Sequence, residues 1–307
     1  MIIMAAERGI DITMRIIFMG TPDLAVPSLK ALFENNYEII GVVTKTDSTR
    51  RGSRGLKEVP PPVKEYAVAH NIPVFQPEKL SKDTELISKI AQMAPDLIVT
   101  CAYGQILPKS LLDIPKYGTI NVHGSLLPKY RGAAPIHWAI INGETKTGIT
   151  TMFTEVGLDT GDMLLKAEID IPIDMTAGEL HDRLSLLGAD TLIRTLRELE
   201  AGTLKPEKQD DSQATYAPKI EKSTGLIDWS RTALEIHNRI RGTTPWPGAY
   251  IDMCGKRTKM CCSKIADYPE NLMDKINNPD ICPGTILYIG ADGMWVKTTD
   301  GAIFINM

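Results

Sequence analysis

Aromatic residues are scarce in this 307-residue chain, at 6%, and there are only five cysteines. No stretch approaches the ~20 consecutive apolar residues that a membrane helix needs, so a chain that stays off membranes and in the cytoplasm is expected. The opening Met1-Ile2-Ile3-Met4-Ala5-Ala6 has no basic residues ahead of it and is too short for a signal-peptide core. Cys101, Cys254, Cys261, Cys262 and Cys282 form no C-x-x-C pair and match no common zinc-ligand spacing. Reduced thiols and no metal are the expectation. Positive charge is not in excess: 34 Lys and Arg stand against 38 Asp and Glu, a net charge of −4. That excludes a uniformly basic nucleic-acid binder and leaves room for a local basic site. Gly20 stands nearly alone after the first apolar run, with neither G-x-G-x-x-G nor G-x-x-x-x-G-K-[ST] around it, which removes the signatures of dinucleotide and P-loop binding. The 24 glycines and 20 prolines follow no triplet period, so a collagen-like or low-complexity chain is excluded too.

What is present reads as two domains. The first thirteen residues look like an added leader. Residues 15–19 (Arg-Ile-Ile-Phe-Met) are an apolar run that ends in a turn and predict a buried strand. Residues 23–35 carry apolar positions at helical spacing. Residues 39–44, 96–101 and 118–122 predict further short strands, with helical stretches such as 84–93 between them. Strand and helix in alternation imply an α/β, Rossmann-like, mostly parallel sheet with helices on both faces. Residues 46–64 interrupt that rhythm with Gly, Ser, Pro and charge, and predict a long functional or mobile loop. Residues 174–200 predict a long helix, with Thr176 and Glu179 as a capping box, a leucine face, and Gly202 as its stop. The expected division is a catalytic domain over 14–203, a polar linker over 204–218 and a second domain over 219–307. In that last part a helix over 232–241 precedes short alternating strands with turn signals between them. This pattern predicts a small β-barrel, OB-like, or a sandwich.

Three constellations could carry chemistry. The densest is Asn121-Val122-His123-Gly124-Ser125-Leu126-Leu127-Pro128-Lys129-Tyr130-Arg131-Gly132, placed where a buried strand runs out. Ligands of open α/β sheets bind at such ends. Asn121 and His123 are two residues apart, so on a strand they point to one side and could together stabilise an oxyanion. A satisfied core histidine is the plain alternative. A serine hydrolase of Ser125, His123 and Asp159 lacks the G-x-S-x-G elbow. The second constellation is Glu155-Val156-Gly157-Leu158-Asp159-Thr160-Gly161-Asp162, where two glycines bracket an acid. An Asx-turn between strands would look the same; an acid facing His123 would favour the imidazolium. The third is the run of Arg50, Arg51, Arg54 and Lys57, suited to a polyanion backbone or simply to solvent. Lys256, Arg257, Lys259 and Lys264 add a second basic surface.

These residues resemble a known family. Asn-x-His-x-Ser-Leu-Leu-Pro-x-x-Arg-Gly followed by Gly-Leu-Asp-Thr-Gly-Asp is similar to the formyltransferases that use 10-formyltetrahydrofolate. Phe18-Met19-Gly20-Thr21-Pro22 and Ala102-Tyr103-Gly104-Gln105-Ile106-Leu107-Pro108 fit the same family. Thr215-Tyr216-Ala217-Pro218-Lys219-Ile220, Ile227-Asp228-Trp229 and the Asn238–Ala249 stretch with Pro245-Trp246-Pro247-Gly248 resemble its methionyl-tRNA formyltransferase branch. The resemblance implies catalytic roles for Asn121, His123 and Asp159 and folate contacts at Ser125, Leu126, Leu127 and Pro128. It also implies a tRNA-engaging loop over 46–64, with either Arg51 or Arg54 as its key arginine. The implied reaction is formyl transfer from 10-formyltetrahydrofolate to the α-amino group of methionyl initiator tRNA, by a monomer and without a metal. A small amine such as a UDP-linked amino sugar is the alternative acceptor, and an RNA-binding protein on a retired enzyme fold is a further one. Family members continue past the last strand, so the second domain is expected to be truncated after Ile305-Asn306-Met307.

Overall fold

The computed structural model describes residues 13–52, 55–253 and 255–306. In chain order, β1 (Arg15–Gly20) leads through a 3-10 turn into α1 (Val26–Glu34) and β2 (Glu38–Val43). Then come β3 (Ser48–Gly52), β4 (Gly55–Val59), α2 (Pro62–Ala69), β5 (Val74–Phe75), α3 (Thr84–Met93) and β6 (Leu97–Cys101). They are followed by α4 (Lys109–Leu112), β7 (Thr119–His123), β8 (Arg131–Gly132), α5 (Pro135–Ile141), β9 (Lys146–Phe153), β10 (Met163–Asp170) and α6 (Ala177–Ala201). The remainder holds β11 (Tyr216–Ala217), α7 (Ala233–Gly242), β12 (Ala249–Met253), β13 (Lys256–Met260) and β14 (Cys262–Lys264). It ends with α8 (Met273–Asn277), β15 (Ile286–Ile289), β16 (Gly293–Lys297) and β17 (Ala302–Asn306).

The chain divides into two compact units. The first takes the residues up to His123 with Thr151–Leu165 and Ser185–Lys208. The second takes Gly124–Thr150, Lys166–Leu184 and the residues from Gln209 onward. Seven strands form the main sheet, in the order β10-β9-β7-β6-β1-β2-β5. Strand β1 lies parallel to β2 and β6, β6 to β7, and β2 to β5. Parallel sheets need cover on both faces, and the alternation along β1 supplies it. Ile17 and Met19 pack with Val43 and Ile98 against Leu86 and Ile90 of α3 and Leu111 of α4. Ile16 and Phe18, on the opposite side, are fully buried as well. Each such side chain contributes about 1.5–3 kcal/mol of burial energy.

Helix starts follow local chemistry. The Asp83 carboxylate accepts the Leu86 N–H at 2.9 Å and caps α3. At the start of α6, Thr176 Oγ1 accepts from the Glu179 N–H at 3.2 Å while Glu179 Oε2 accepts from the Thr176 N–H at 2.8 Å. That is the reciprocal capping box the sequence predicts. Gly202, at φ +68°, ends the helix.

Residues 46–64 are not the irregular loop expected. Strands β3 and β4 form an antiparallel hairpin with register from Ser48↔Val59 to Gly52↔Gly55, and α2 follows. The ladder pairs the facing backbone groups of the two strands and leaves the outer ones to solvent, so the hairpin needs no apolar face and composition hid it. The base of the hairpin is clamped: Lys64 Nζ lies 2.7 Å from Asp47 Oδ2, and Gln76 Nε2 donates to Asp47 Oδ1 at 2.7 Å.

In the second unit, β14-β17-β16-β15 form an antiparallel sheet, and β12 pairs with β13. Met294, Val296, Ile303 and Ile305 point to the side of Ile236 and Ile240 of α7. Trp295 and Ala302 point to the other side, with Leu272 and with Ile276 of α8. The period-2 pattern of β16 and β17 therefore feeds two apolar clusters.

Candidate active site

Strand β7 brings Asn121 and His123 to the carboxyl end of the parallel sheet, the position where open α/β sheets bind ligands. Asn121 is the register partner of Thr100 on β6, and Thr100 Oγ1 donates to Asn121 Oδ1 at 2.9 Å. With its oxygen engaged by Thr100, the amide keeps its N–H₂ group as the end that can donate. His123 is only 5% exposed. Its Nδ1 lies 3.8 Å from Asp159 Oδ2, close enough for a charge interaction and too long for a direct hydrogen bond.

Asp159 sits on the loop between β9 and β10, at φ +51°. A non-glycine residue in this left-handed region is uncommon and needs support from its surroundings. The neck of the loop provides it: the Phe153 N–H donates to the Asp162 carbonyl at 2.9 Å, and the Thr154 N–H to the Thr119 carbonyl at 2.7 Å. The second contact ties the loop to the strand that carries His123. A Cβ at Gly161 would collide with the Phe153 carbonyl, so the neck closes only with glycine there. The first unit thus brings Asn121, His123 and Asp159 to one region, as their spacing predicts for the first two.

Ser125, Leu126, Leu127 and Pro128 follow His123 directly in the chain and belong to the second unit. Ser125 is fully buried, and its hydroxyl donates to the Lys129 carbonyl at 2.6 Å, bracketing the turn. Thr150 holds the other limb. Its hydroxyl donates to the Ser125 carbonyl at 2.7 Å and accepts from the Leu127 N–H at 3.1 Å. The Ser125 proton is thereby engaged in holding the turn, which gives a serine nucleophile no support.

Among the basic residues, Arg54 lies outside the described residues, and so do the side chains of Arg50, Arg51 and Lys57. Their backbones run in β3 and β4. In the second unit Lys256, Arg257, Lys259 and Lys264 are exposed on β13 and β14. The Arg257 guanidinium lies over the Tyr250 ring at 3.8 Å. Burial pushes the Cys101 thiol up to about 12, which makes it inert at neutral pH. Cys261, Cys262 and Cys282 are free and exposed, and Cys254 lies outside the described residues. Among the described residues no group of three His, Cys, Asp or Glu side chains is placed to hold a metal. No helix of theirs is long and apolar enough to cross a membrane.

Sequence reading missed Thr100, Thr150 and Arg131. The two threonines act across strands, which local spacing does not reveal. Arg131 stands in the quoted turn motif, but its partners Gln209 and Asp211 lie far along the chain, so the sequence carried no signal of its role.

Comparison with known proteins adds two matches. The family model described as formyl transferase matches residues 14–196, and that described as formyl transferase, C-terminal domain, matches 219–307. The methionyl-tRNA formyltransferase of Acetivibrio thermocellus is 53% identical over 293 residues, covering 95% of this chain and 91% of its own. That of Ruminiclostridium cellulolyticum is also 53% identical, with the same coverage. Among solved structures, the sugar 3N-formyl transferase WlaRD superposes with a TM-score of 0.70 at 20% identity, covering 96% of this chain and 97% of that one. At that identity it speaks for the fold alone.

Proposed function

This chain belongs to the formyl transferase family, and we infer that it transfers the formyl group of 10-formyltetrahydrofolate to the α-amino group of methionyl initiator tRNA in translation initiation. One observation carries the reading: half of all residues are shared with methionyl-tRNA formyltransferases across nearly the full length of both chains. The folate is a co-substrate, consumed once per turnover. We place the protein in the cytoplasm, acting as a monomer, with a catalytic domain over 14–203, a connecting segment over 204–218 and a tRNA-binding domain over 219–307.

The site residues are assigned by their chemistry. The substrate's own amine is the nucleophile, so no serine or cysteine of the enzyme has to become one. The amine attacks the formyl carbon, and negative charge grows on the formyl oxygen. Asn121, its amide oxygen held by Thr100, donates to that oxygen. Asp159, directly or through a water, accepts the proton the amine loses. His123 adds charge stabilisation and passes a proton to folate N10 as the carbon–N10 bond breaks, which balances the transfer. Ser125, Leu126, Leu127 and Pro128 hold the folate. Arg50, Arg51, Arg54 and Lys57 meet the phosphates of the tRNA, and the exposed cations of β13 and β14 supply a second contact.

The test is formyl transfer with methionyl initiator tRNA and a UDP-linked amino sugar as parallel acceptors. Turnover on the tRNA alone is expected. Turnover on the sugar alone would keep the three site residues and overturn the acceptor.

A further inference from the structure

The segment over 209–217 is polar and reads as a connector, yet it is bonded at several points to the far limb of the Ser125–Pro128 turn. The Tyr130 N–H donates to Thr215 Oγ1 and the Arg131 N–H to the Thr215 carbonyl, both at 2.8 Å. The Ala133 N–H donates to the Ala217 carbonyl at 2.9 Å. Strands β8 and β11 run parallel, with Arg131 opposite Tyr216 and Gly132 opposite Ala217. Gly132, at φ +120°, comes so close that a Cβ would lie 2.7 Å from the Ala217 carbonyl oxygen. Tyr130 itself is held at φ +60°, in the left-handed region.

One side chain fixes the other end of this segment. Arg131 is 2% exposed; its Nε donates to Gln209 Oε1 at 2.9 Å and its Nη2 to Asp211 Oδ1 at 2.7 Å. A buried guanidinium needs close partners to offset its desolvation. Its planar fork fixes the angle between two acceptors, which an ammonium does not. The Asp211 carboxylate is itself 83% exposed, so the pair lies at the edge of the fold. Arg131 thus pins residues 209–211, and the 215–217 ladder pins the backbone of 130–133.

We propose that Arg131 is a positioning residue for the folate-binding turn, acting through residues 209–217 as a strap; this rests on the reading of Ser125–Pro128 as folate contacts. Thr150 holds the incoming limb of the turn and the strap holds the outgoing one. Loss of the strap lets the turn drift without altering Asn121, His123 or Asp159.

The experiment is steady-state kinetics on the full chain, with each substrate varied in turn. A change that raises KM and leaves kcat in place has removed binding shared by the ground and transition states. Arg131→Ala is expected to raise KM for 10-formyltetrahydrofolate about tenfold, with kcat and KM for methionyl-tRNA changed less than about threefold. Arg131→Lys reaches one acceptor and recovers part of the loss. Asp211→Ala, on the exposed partner, raises the same KM about threefold and carries the test should Arg131→Ala fail to fold. In the double variant the Asp211 change adds nothing to Arg131→Ala, because both cut one connection. Leu126→Ala reports on the turn directly. If Leu126→Ala raises the folate KM and no Arg131 or Asp211 variant does, the strap inference falls and the turn reading stands. If Leu126→Ala leaves it unmoved, the turn reading falls and takes the strap with it. An equal loss in kcat/KM for both substrates assigns Arg131 to general stability and overturns the proposal.

Discussion

Thr100 Oγ1 donates to Asn121 Oδ1 across the β6–β7 pair at 2.9 Å, and so decides which way the Asn121 amide faces. Thr100 is itself buried, so water does not replace its hydroxyl. Thr100→Val keeps the shape and removes the donor, leaving the amide free to turn its oxygen toward the substrate. A net hydrogen bond of about 1 kcal/mol then converts to a fall in kcat of about fivefold to tenfold, with KM for folate unchanged. Single-turnover kinetics of the variant would measure it, and an unchanged rate would remove Thr100 from the site.

Asn121→Ala, His123→Ala and Asp159→Asn each take away one group of the proposed catalytic trio. Loss of a single oxyanion donor costs on the order of 10²–10³ in rate. The same order is expected for each variant in kcat, with the thermal midpoint preserved for Asp159→Asn, which keeps the side-chain shape at the loop's left-handed position. A loss below about tenfold at any one of the three would contradict its assigned role. If the three serve one transition state, as proposed, combining two of them is expected to cost less than the product of the single losses.

Much of this was legible in the sequence, and the reason is periodicity. The apolar runs of β1, β6 and β7 and the spacing of α3 follow directly from core-facing positions. The capping box at Thr176 was a local signal that the structure keeps, and the structure adds a second one at Thr232. Asn121 and His123 share a face because a strand repeats every two residues. The hairpin of β3 and β4 was not legible, since its ladder is made of backbone and its side chains carry no apolar pattern. The hold of Thr100 on Asn121 and of Arg131 on Gln209 and Asp211 was equally hidden, since each joins residues far apart in the chain. Compactness also groups Gly124–Thr150 with the chain after Gln209, a relation that no local composition signals.

The hairpin's role is open to a salt titration. Each phosphate neutralised by a Lys or Arg adds up to about 0.9 to the slope of log affinity against log salt on a duplex, and about 0.7 on a single strand. Replacing Arg51 and Arg54 by Ala together is expected to lower that slope for initiator tRNA by about one to two. Asp47→Ala, at the clamped base of the hairpin, leaves the charges of the hairpin itself in place but frees Lys64 and Gln76. Its effect is expected in the affinity at fixed salt, with little change of slope. Filter binding across a salt series separates the two, and an unchanged slope in the double-arginine variant would return the hairpin to solvent.

His237 makes the stability of the second unit depend on pH. The ring is nearly fully buried, with Nε2 2.9 Å from the Ile173 carbonyl and Nδ1 2.9 Å from Ser263 Oγ. A carbonyl only accepts, so Nε2 carries the proton, Nδ1 accepts from the serine, and the neutral ring is satisfied. Burial holds its pKa below the ordinary histidine value; Arg241 adds to the lowering, while the backbone bond to Ile173 and the Asp174 carboxylate at 3.6 Å oppose it. His137 is lowered as well, by burial and then by His181. The unfolded chain therefore binds these protons at a pH where the folded chain does not. Stability rises with pH wherever the unfolded state holds more protons, so it is full above about pH 6.5–7 and declines as the pH falls through 6. Urea midpoints at about pH 7.5, 6.5 and 5.5, above the range where carboxylates dominate, are expected to fall in that order. His237→Gln keeps a donor for Ile173 and removes one titrating group, so its midpoints are expected to fall less steeply while His137 retains the remainder. A wild-type midpoint that stays level or climbs toward acid would show that neither histidine is held neutral by the fold.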